Sequence, residues 1–261
     1  MLSKNKAKFI ISLQKKKNRD EERLYVIEGD KLVGEFLAAK IGLHTIVARP
    51  EFLKSLPSDY LSYADEIIEA SFDELRQIST LKTPHNALAL VPIPENCMHI
   101  DDILHSLCAA LDFVQDPGNM GTIIRAAAWF GVKNIICSEN CVDVYNPKVI
   151  QSTMGAILHV NVLYCDLKEF LARAGERNVH VYGTLLEGSS IYEHDLDNRG
   201  IILLGNESKG ISEELKPFIT EKIMIPGINT GNPGIESLNV SMAASIVFSE
   251  FMRRSVKKSK L

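Results

Sequence analysis

Apolar and polar positions follow two rhythms along this chain. Short apolar runs bounded by turn formers read as strands, and apolar residues recurring every three or four positions read as helices. From Ser3 to about Pro94 the pattern predicts a basic amphipathic helix at Lys4 to Lys17, with Phe9, Ile10 and Leu13 on its apolar side. A strand follows at Leu24 to Ile27, a helix at Lys31 to Lys40, and further strands at His44 to Ala48 and Asn86 to Val91. The segment Val91-Pro92-Ile93-Pro94-Glu95-Asn96 is stiff and lacks periodicity, so it reads as a linker. Beyond it strands are predicted at Ser106 to Val114, Asn134 to Cys137, His159 to Leu163, His180 to Thr184, Ile201 to Leu204 and Lys222 to Ile225. Helices are predicted at Thr122 to Phe130, Pro147 to Gly155, Leu167 to Asn178 and Leu238 to Arg253. Strands alternating with helices imply a mainly parallel sheet covered on both faces. The expected fold is therefore α/β in two domains, residues 1–94 and 95–261.

Composition narrows the class. A chain of 261 residues with 46% hydrophobic content can bury a proper core. No apolar run is long enough to span a membrane, and the lysine-rich start has too short an apolar centre for a signal peptide, so a soluble cytoplasmic protein is expected. The cysteines, Cys97, Cys108, Cys137, Cys141 and Cys165, form no CxxC pair and suggest neither disulfides nor zinc. A net charge of -4 gives no overall sign of nucleic-acid binding. The distribution is more informative. Lys4, Lys6, Lys8, Lys15, Lys16, Lys17, Arg19 and Arg23 gather at the start, and Arg253, Arg254, Lys257, Lys258 and Lys260 at the end. Such clusters permit phosphate contacts, although terminal charge runs are more often solvated tails.

Candidate chemistry lies in the loops after the strands, where ligands of open α/β sheets bind. Four stand out: Gln115 to Gly121, Leu185 to Ser190, Gly205 to Ser212 and Pro226 to Asn239. In the first, Pro117-Gly118 suits a type II turn that brings Asn119 to a helix mouth, with Arg125 one and a half turns on. Read alone, this unit fits a plain βα connection as well as it fits a site. In GNESKGIS, Ile211 stands where a P-loop needs lysine, and no GxGxxG occurs anywhere, which disfavours both nucleotide fingerprints. Alone, Glu207 reads as an exposed loop carboxylate. Ser237 reads as a helix N-cap, with Asn239 an unexpected asparagine inside the first turn. His159, His180 and His194 lack ligand or triad spacing and read as structural.

Taken together, DPGNMGTIIRAAAWFG, LLGNESKGIS and IESLNVSMAAS resemble the three ordered motifs of the SpoU/TrmH family of RNA ribose 2′-O-methyltransferases, in the SPOUT class. The resemblance covers about Leu107 to Arg254. More weakly, KKKNRDEERLYVIEG is similar to the small substrate-binding domain often placed before this catalytic domain. The likeness implies a C-terminal domain with a deep trefoil knot that holds S-adenosylmethionine through Thr184, Leu185, Gly205, Ile225 and Leu238. It also implies a catalytic group of Asn119, Arg125, Glu207, Ser237 and Asn239, and a homodimer whose site is completed across the interface. One departure is the insert from Gly227 to Glu236 between the Ile-Pro and Ser-Leu-Asn runs, which makes Ile225 a less secure position.

The expected function is methyl transfer from S-adenosylmethionine to a ribose 2′-hydroxyl in a structured RNA, rRNA ahead of tRNA, with no membrane partner and no metal. Arg125 takes an electrostatic role because a guanidinium does not give up its proton. The alternatives are a non-catalytic RNA-binding module with the same fold and a small-molecule enzyme using a nucleotide cofactor.

Overall fold

The structure is a computed structural model, and it describes residues 1–95, 103–227 and 237–258, with side chains to Arg254. The chain forms two compact units, Met1–Glu95 with Asp143–Leu158, and Asn96–Val142 with His159–Leu261.

The first unit has a four-stranded sheet between helices. Its elements are α1 (Lys4–Ser12), α2 (Lys16–Glu22), β1 (Leu24–Glu28), α3 (Asp30–Ala38), β2 (Leu43–Ala48), α4 (Pro50–Ser55), β3 (Ala64–Glu69), α5 (Phe72–Ile78) and β4 (Ala87–Pro92). The strand order is β1-β4-β2-β3, antiparallel except for the parallel pair β2 and β3. Alternate side chains feed opposite faces, as the pleat requires. Leu24 and Val26 join Ile10 of α1, Leu13 just after it, and Leu75 and Ile78 of α5. Tyr25 and Ile27 join Val33, Phe36 and Phe52 from α3 and α4.

The helix predicted over Lys4 to Lys17 is broken in two. Ser3 caps α1 by accepting from Lys6 N, and the chain turns after Ser12 because the buried Arg19 guanidinium draws in the carbonyls of Leu13 and Gln14 at 2.8 and 2.9 Å. Periodicity cannot register such a contact. Strand β3 and helices α4 and α5 escaped the pattern: β3 is an edge strand whose residues are mostly exposed, and α5 is short, though its Ser71/Glu74 capping box is a legible start signal. The helix predicted at Pro147 to Gly155 appears as α7 (Pro147–Thr153) and belongs to this first unit, where Ile150 enters the same core as Tyr25.

The second unit contains β5 (Leu107–Leu111), α6 (Pro117–Phe130), β6 (Asn134–Cys137), β7 (Asn161–Tyr164), α8 (Leu167–Glu176), β8 (Val181–Ser190), β9 (Gly200–Leu204), β10 (Glu221–Met224) and α9 (Val240–Lys258). Its sheet runs β10-β8-β9-β5-β6-β7, and every neighbouring pair is parallel. That is the parallel sheet the alternation predicts. Helix α8 covers one face with Leu167, Phe170 and Leu171, packed with Ala110, Ile136, Ile201 and Leu203. On the other face Phe251 of α9 meets Tyr182 edge-on at 4.9 Å, and α9 packs along α6.

Candidate active site

The strand order puts the carboxyl ends of β10, β8, β9 and β5 side by side; three of the sequence-picked loops follow β5, β9 and β10, whereas Leu185 to Ser190, expected as a loop, is the second half of β8. The loop after β5 is not a type II turn. Asp116 caps α6 by accepting from Asn119 N at 2.8 Å, so Pro117 and Gly118 open the helix and Asn119 sits in its first turn. Proline suits this place because the first helical amide has no partner to lose. Helix α6 ends at Gly131, whose φ of 78° is the left-handed conformation of a helix stop.

Three of the five expected catalytic residues are joined by hydrogen bonds. Asn119 Nδ2 donates to Glu207 Oε1 at 3.0 Å, and Asn239 Nδ2 donates to Asn119 Oδ1 at 2.9 Å. Asn239 Oδ1 accepts from Ser241 N at 2.9 Å, Ser241 Oγ at 2.7 Å and Met242 N at 3.3 Å. Asn239, and not Ser237, is therefore the N-cap of α9, and it lies before the helix instead of inside its first turn. That resolves the asparagine's poor helix propensity. Ser237 and Leu238 lie exposed just ahead of it. Arg125 is exposed on α6, on the side that also carries Trp129, itself 83% exposed. Six residues of helix turn Arg125 about 120° away from Asn119.

Of the expected cofactor residues, Thr184 and Leu185 lie within β8, Gly205 and Ile225 directly follow β9 and β10, and Leu238 stands two residues before α9. Lys222 pairs with Gly183 but Ile223 pairs with Ser189, so Thr184 to Gly188 drop out of the ladder with β10. On its other side β8 pairs with β9 only as far as Gly183. This frees main-chain groups where a ligand held by amides and carbonyls needs them, and the residues present fit S-adenosylmethionine in that respect. Thr184 Oγ1 is fixed to Leu203 O at 3.0 Å, and Ile225 is half-buried after β10. Gly205 is required by close approach: a Cβ there would lie 2.2 Å from the carbonyl carbon of Gly210. Most of the Gly227 to Glu236 insert lies outside the described residues.

Sequence reasoning missed the residues that tie these loops together. Asp112, 2% exposed, accepts from Ser212 N at 2.7 Å and Ser212 Oγ at 2.6 Å, which fastens the loop after β9 to the end of β5. Asn206 and Ser241 hold Glu207 and Asn239 respectively. The only sequence signal was an asparagine heading a glycine-closed turn and a serine two places after Asn239. Beneath the same loop, Cys141 Sγ donates to Leu111 O at 3.2 Å, and a hydrogen bond with Cys137 draws its thiol down to about 7. Burial pushes the Cys108 thiol up to about 12.

The basic clusters are thinner than the sequence suggests. Arg19 is buried against Asp143, Lys6 pairs with Glu66, and Glu250 binds both Arg253 and Arg254. Lys4, Lys8, Lys15 and Arg23 are exposed, Lys16 and Lys17 face Asp20 and Glu21, and Lys260 lies outside the described residues. His180 and His194 flank Glu221 at the opposite ends of β8 and β10, away from the motif loops. Among the described residues no group of histidine, cysteine or carboxylate side chains is arranged to hold a metal ion, and no helix is long and apolar enough to cross a membrane.

Residues 106–249 match the SpoU rRNA Methylase family, and residues 4–89 match the MRM3-like substrate binding domain. Among curated relatives, 23S rRNA (guanosine(2553)-2′-O)-methyltransferase RlmP of Bacillus subtilis is 28% identical, over 90% of this chain and 91% of its own. The mouse mitochondrial rRNA methyltransferase 3 is 27% identical, over 90% of this chain and 69% of its own. Among solved structures, a putative RNA methyltransferase of the TrmH family from Porphyromonas gingivalis superposes with a TM-score of 0.86 at 37% identity, covering 97% of this chain and 99% of that one. An AdoMet-bound rRNA methyltransferase from Sinorhizobium meliloti superposes with a TM-score of 0.84 at 26% identity, over 97% and 96%. With both the three motif loops and the full length of the fold matched, the chain belongs to the SpoU rRNA methylase family.

Proposed function

We propose that this chain transfers a methyl group from S-adenosylmethionine to the 2′-hydroxyl of a ribose in a structured RNA, ribosomal RNA ahead of transfer RNA. The observation that carries the reading is the bonded series Asn239, Asn119 and Glu207, which draws together the three loops of a family whose relatives are named for this reaction. Bound S-adenosylmethionine supplies an electrophilic methyl group. Thr184, Leu185, Gly205, Ile225 and Leu238 hold it, chiefly through the main chain freed at the β8 register break. Asn119, Glu207 and Asn239 keep the loops rigid, and Ser237 closes the cofactor side. Arg125 steers the RNA phosphate and stabilises the alkoxide that develops at the attacking oxygen, while the proton passes to phosphate or water. Positioning supplies much of the rate.

The Arg125 position lies about 120° round α6 from Asn119 and one turn before the exposed Trp129, with Met242 and Met252 also exposed on α9. This supports a homodimer in which Arg125 serves the partner's site. Residues 95–261 form the methyltransferase domain, and insertion of β9 between β8 and β5, with β10 outside β8, is compatible with a trefoil knot there. Residues 1–94 form the RNA substrate-binding domain, with the exposed Lys4, Lys8 and Lys15 to meet phosphates. The cytoplasm is the working compartment.

Tritiated S-adenosylmethionine offered with 23S rRNA and with bulk tRNA tests the reading. Label is expected on rRNA ribose 2′-oxygens. Absence of label from both RNAs, with RNA binding intact, favours the non-catalytic module instead.

A further inference from the structure

We infer that Asn206 is a positioning residue that holds the Glu207 carboxylate in its bond to Asn119. A side-chain amide has two N–H donors and two carbonyl lone pairs, and here all four are used. Nδ2 donates to Phe113 O at 2.8 Å and to Glu207 Oε2 at 3.2 Å. Oδ1 accepts from Ser208 N at 3.0 Å and Lys209 N at 3.1 Å. The turn beneath it is closed by two main-chain bonds of 2.9 Å exchanged between Asn206 and Gly210. The two halves of the amide thus do different jobs. The oxygen builds the turn. The nitrogen fastens that turn to the bend after β5, where Phe113 has φ 58°, and fixes one carboxylate oxygen of Glu207 while the other receives Asn119.

Aspartate at this position separates the two jobs. It keeps both acceptor bonds and so the turn, but it loses both donor bonds and sets a second negative charge against Glu207. The inference rests on the reading of Asn119 and Glu207 as site residues, so Glu207→Gln serves as its calibrator.

The experiment measures single-turnover methylation of transcribed 23S rRNA by the full chain, with saturating S-adenosylmethionine, alongside cofactor Kd, RNA KM and melting temperature. Asn206→Asp is expected to slow transfer about 10-fold or more, the scale of a lost charge-assisted hydrogen bond, with Kd and KM unchanged and a melting temperature lowered less than in Asn206→Ala, which also loses the turn. Glu207→Gln is expected to be slow as well. If Glu207→Gln is slow and Asn206→Asp is not, the Asn206 role is overturned alone; if Glu207→Gln transfers normally, the reading of Glu207 falls and takes this one with it. If the rate loss instead follows melting temperature across the two variants, with Asn206→Ala proportionately slower than Asn206→Asp, the residue is merely structural and the inference is overturned. A readout independent of RNA is the Asn119 side-chain amide NMR signal, which shifts in Asn206→Asp; an unmoved signal overturns the inference too.

Discussion

Replacing Arg19 by alanine should loosen the first unit by about 3 kcal/mol. The guanidinium is 2% exposed and donates to Leu13 O and Gln14 O, while Nε and Nη2 reach Asp143 Oδ2 at 3.2 and 2.5 Å. Truncation strands two carbonyls and leaves a carboxylate without its counter-charge, and these losses together make the cost of breaking a buried pair. Breaking such a buried pair costs about 3–5 kcal/mol, and the lower end applies because 14% of the Asp143 side chain meets solvent and its other oxygen still accepts from Tyr145 N. About 3 kcal/mol is roughly a hundredfold in the opening equilibrium. The single tryptophan, Trp129, lies in the second unit and reports the wrong half, so amide hydrogen exchange is the assay. Amides of α2, β1 and α7 should exchange roughly a hundredfold faster, and those of β5 and β9 at their former rate. Arg19→Lys should fall between, since one ammonium cannot serve both carbonyls and the carboxylate. Acceleration below tenfold in the alanine variant would refute the assignment of Arg19 as the joint between α1, α2 and Asp143.

Arg125→Ala should lower single-turnover methyl transfer by about 10²-fold with cofactor affinity nearly unchanged, and Arg125→Lys should be impaired as well; normal turnover in the alanine variant removes Arg125 from the mechanism. Asp112→Ala should destabilise the second unit by about 2 kcal/mol in urea titrations, because Ser212 N and Oγ lose their buried acceptor. Glu250 is held below the ordinary carboxylate range by its hydrogen bonds to Arg253, then to Arg254. Its folded-state value is depressed, so its contribution is present above the unfolded value and is lost as pH falls. Glu250→Gln should therefore melt lower than the parent at pH 7, and the gap should close under acid.

The sequence by itself determined the strands that are buried on both faces and the helices that cover them, because burial writes itself into the order of apolar residues. Leu24 to Ile27, Ile201 to Leu204 and the body of the helix over Thr122 to Phe130 lie where the pattern puts them, although that helix starts at Pro117. The edge strand β3 carries no such record, since most of its residues are exposed. Motif order named Asn119, Glu207 and Asn239 as one group, but only the tertiary structure decided how they meet, because those bonds span 88 and 120 residues. It also decided that Asn239 caps α9, that Pro117 and Gly118 open α6, and that Arg19 is a buried clasp and not a surface charge. The membership of α7 in the first unit was likewise beyond the pattern. Propensity and periodicity are local quantities. A hydrogen bond between residues a hundred positions apart depends on which strands lie side by side, and parallel neighbours are set by crossovers that leave no mark in the sequence around either partner.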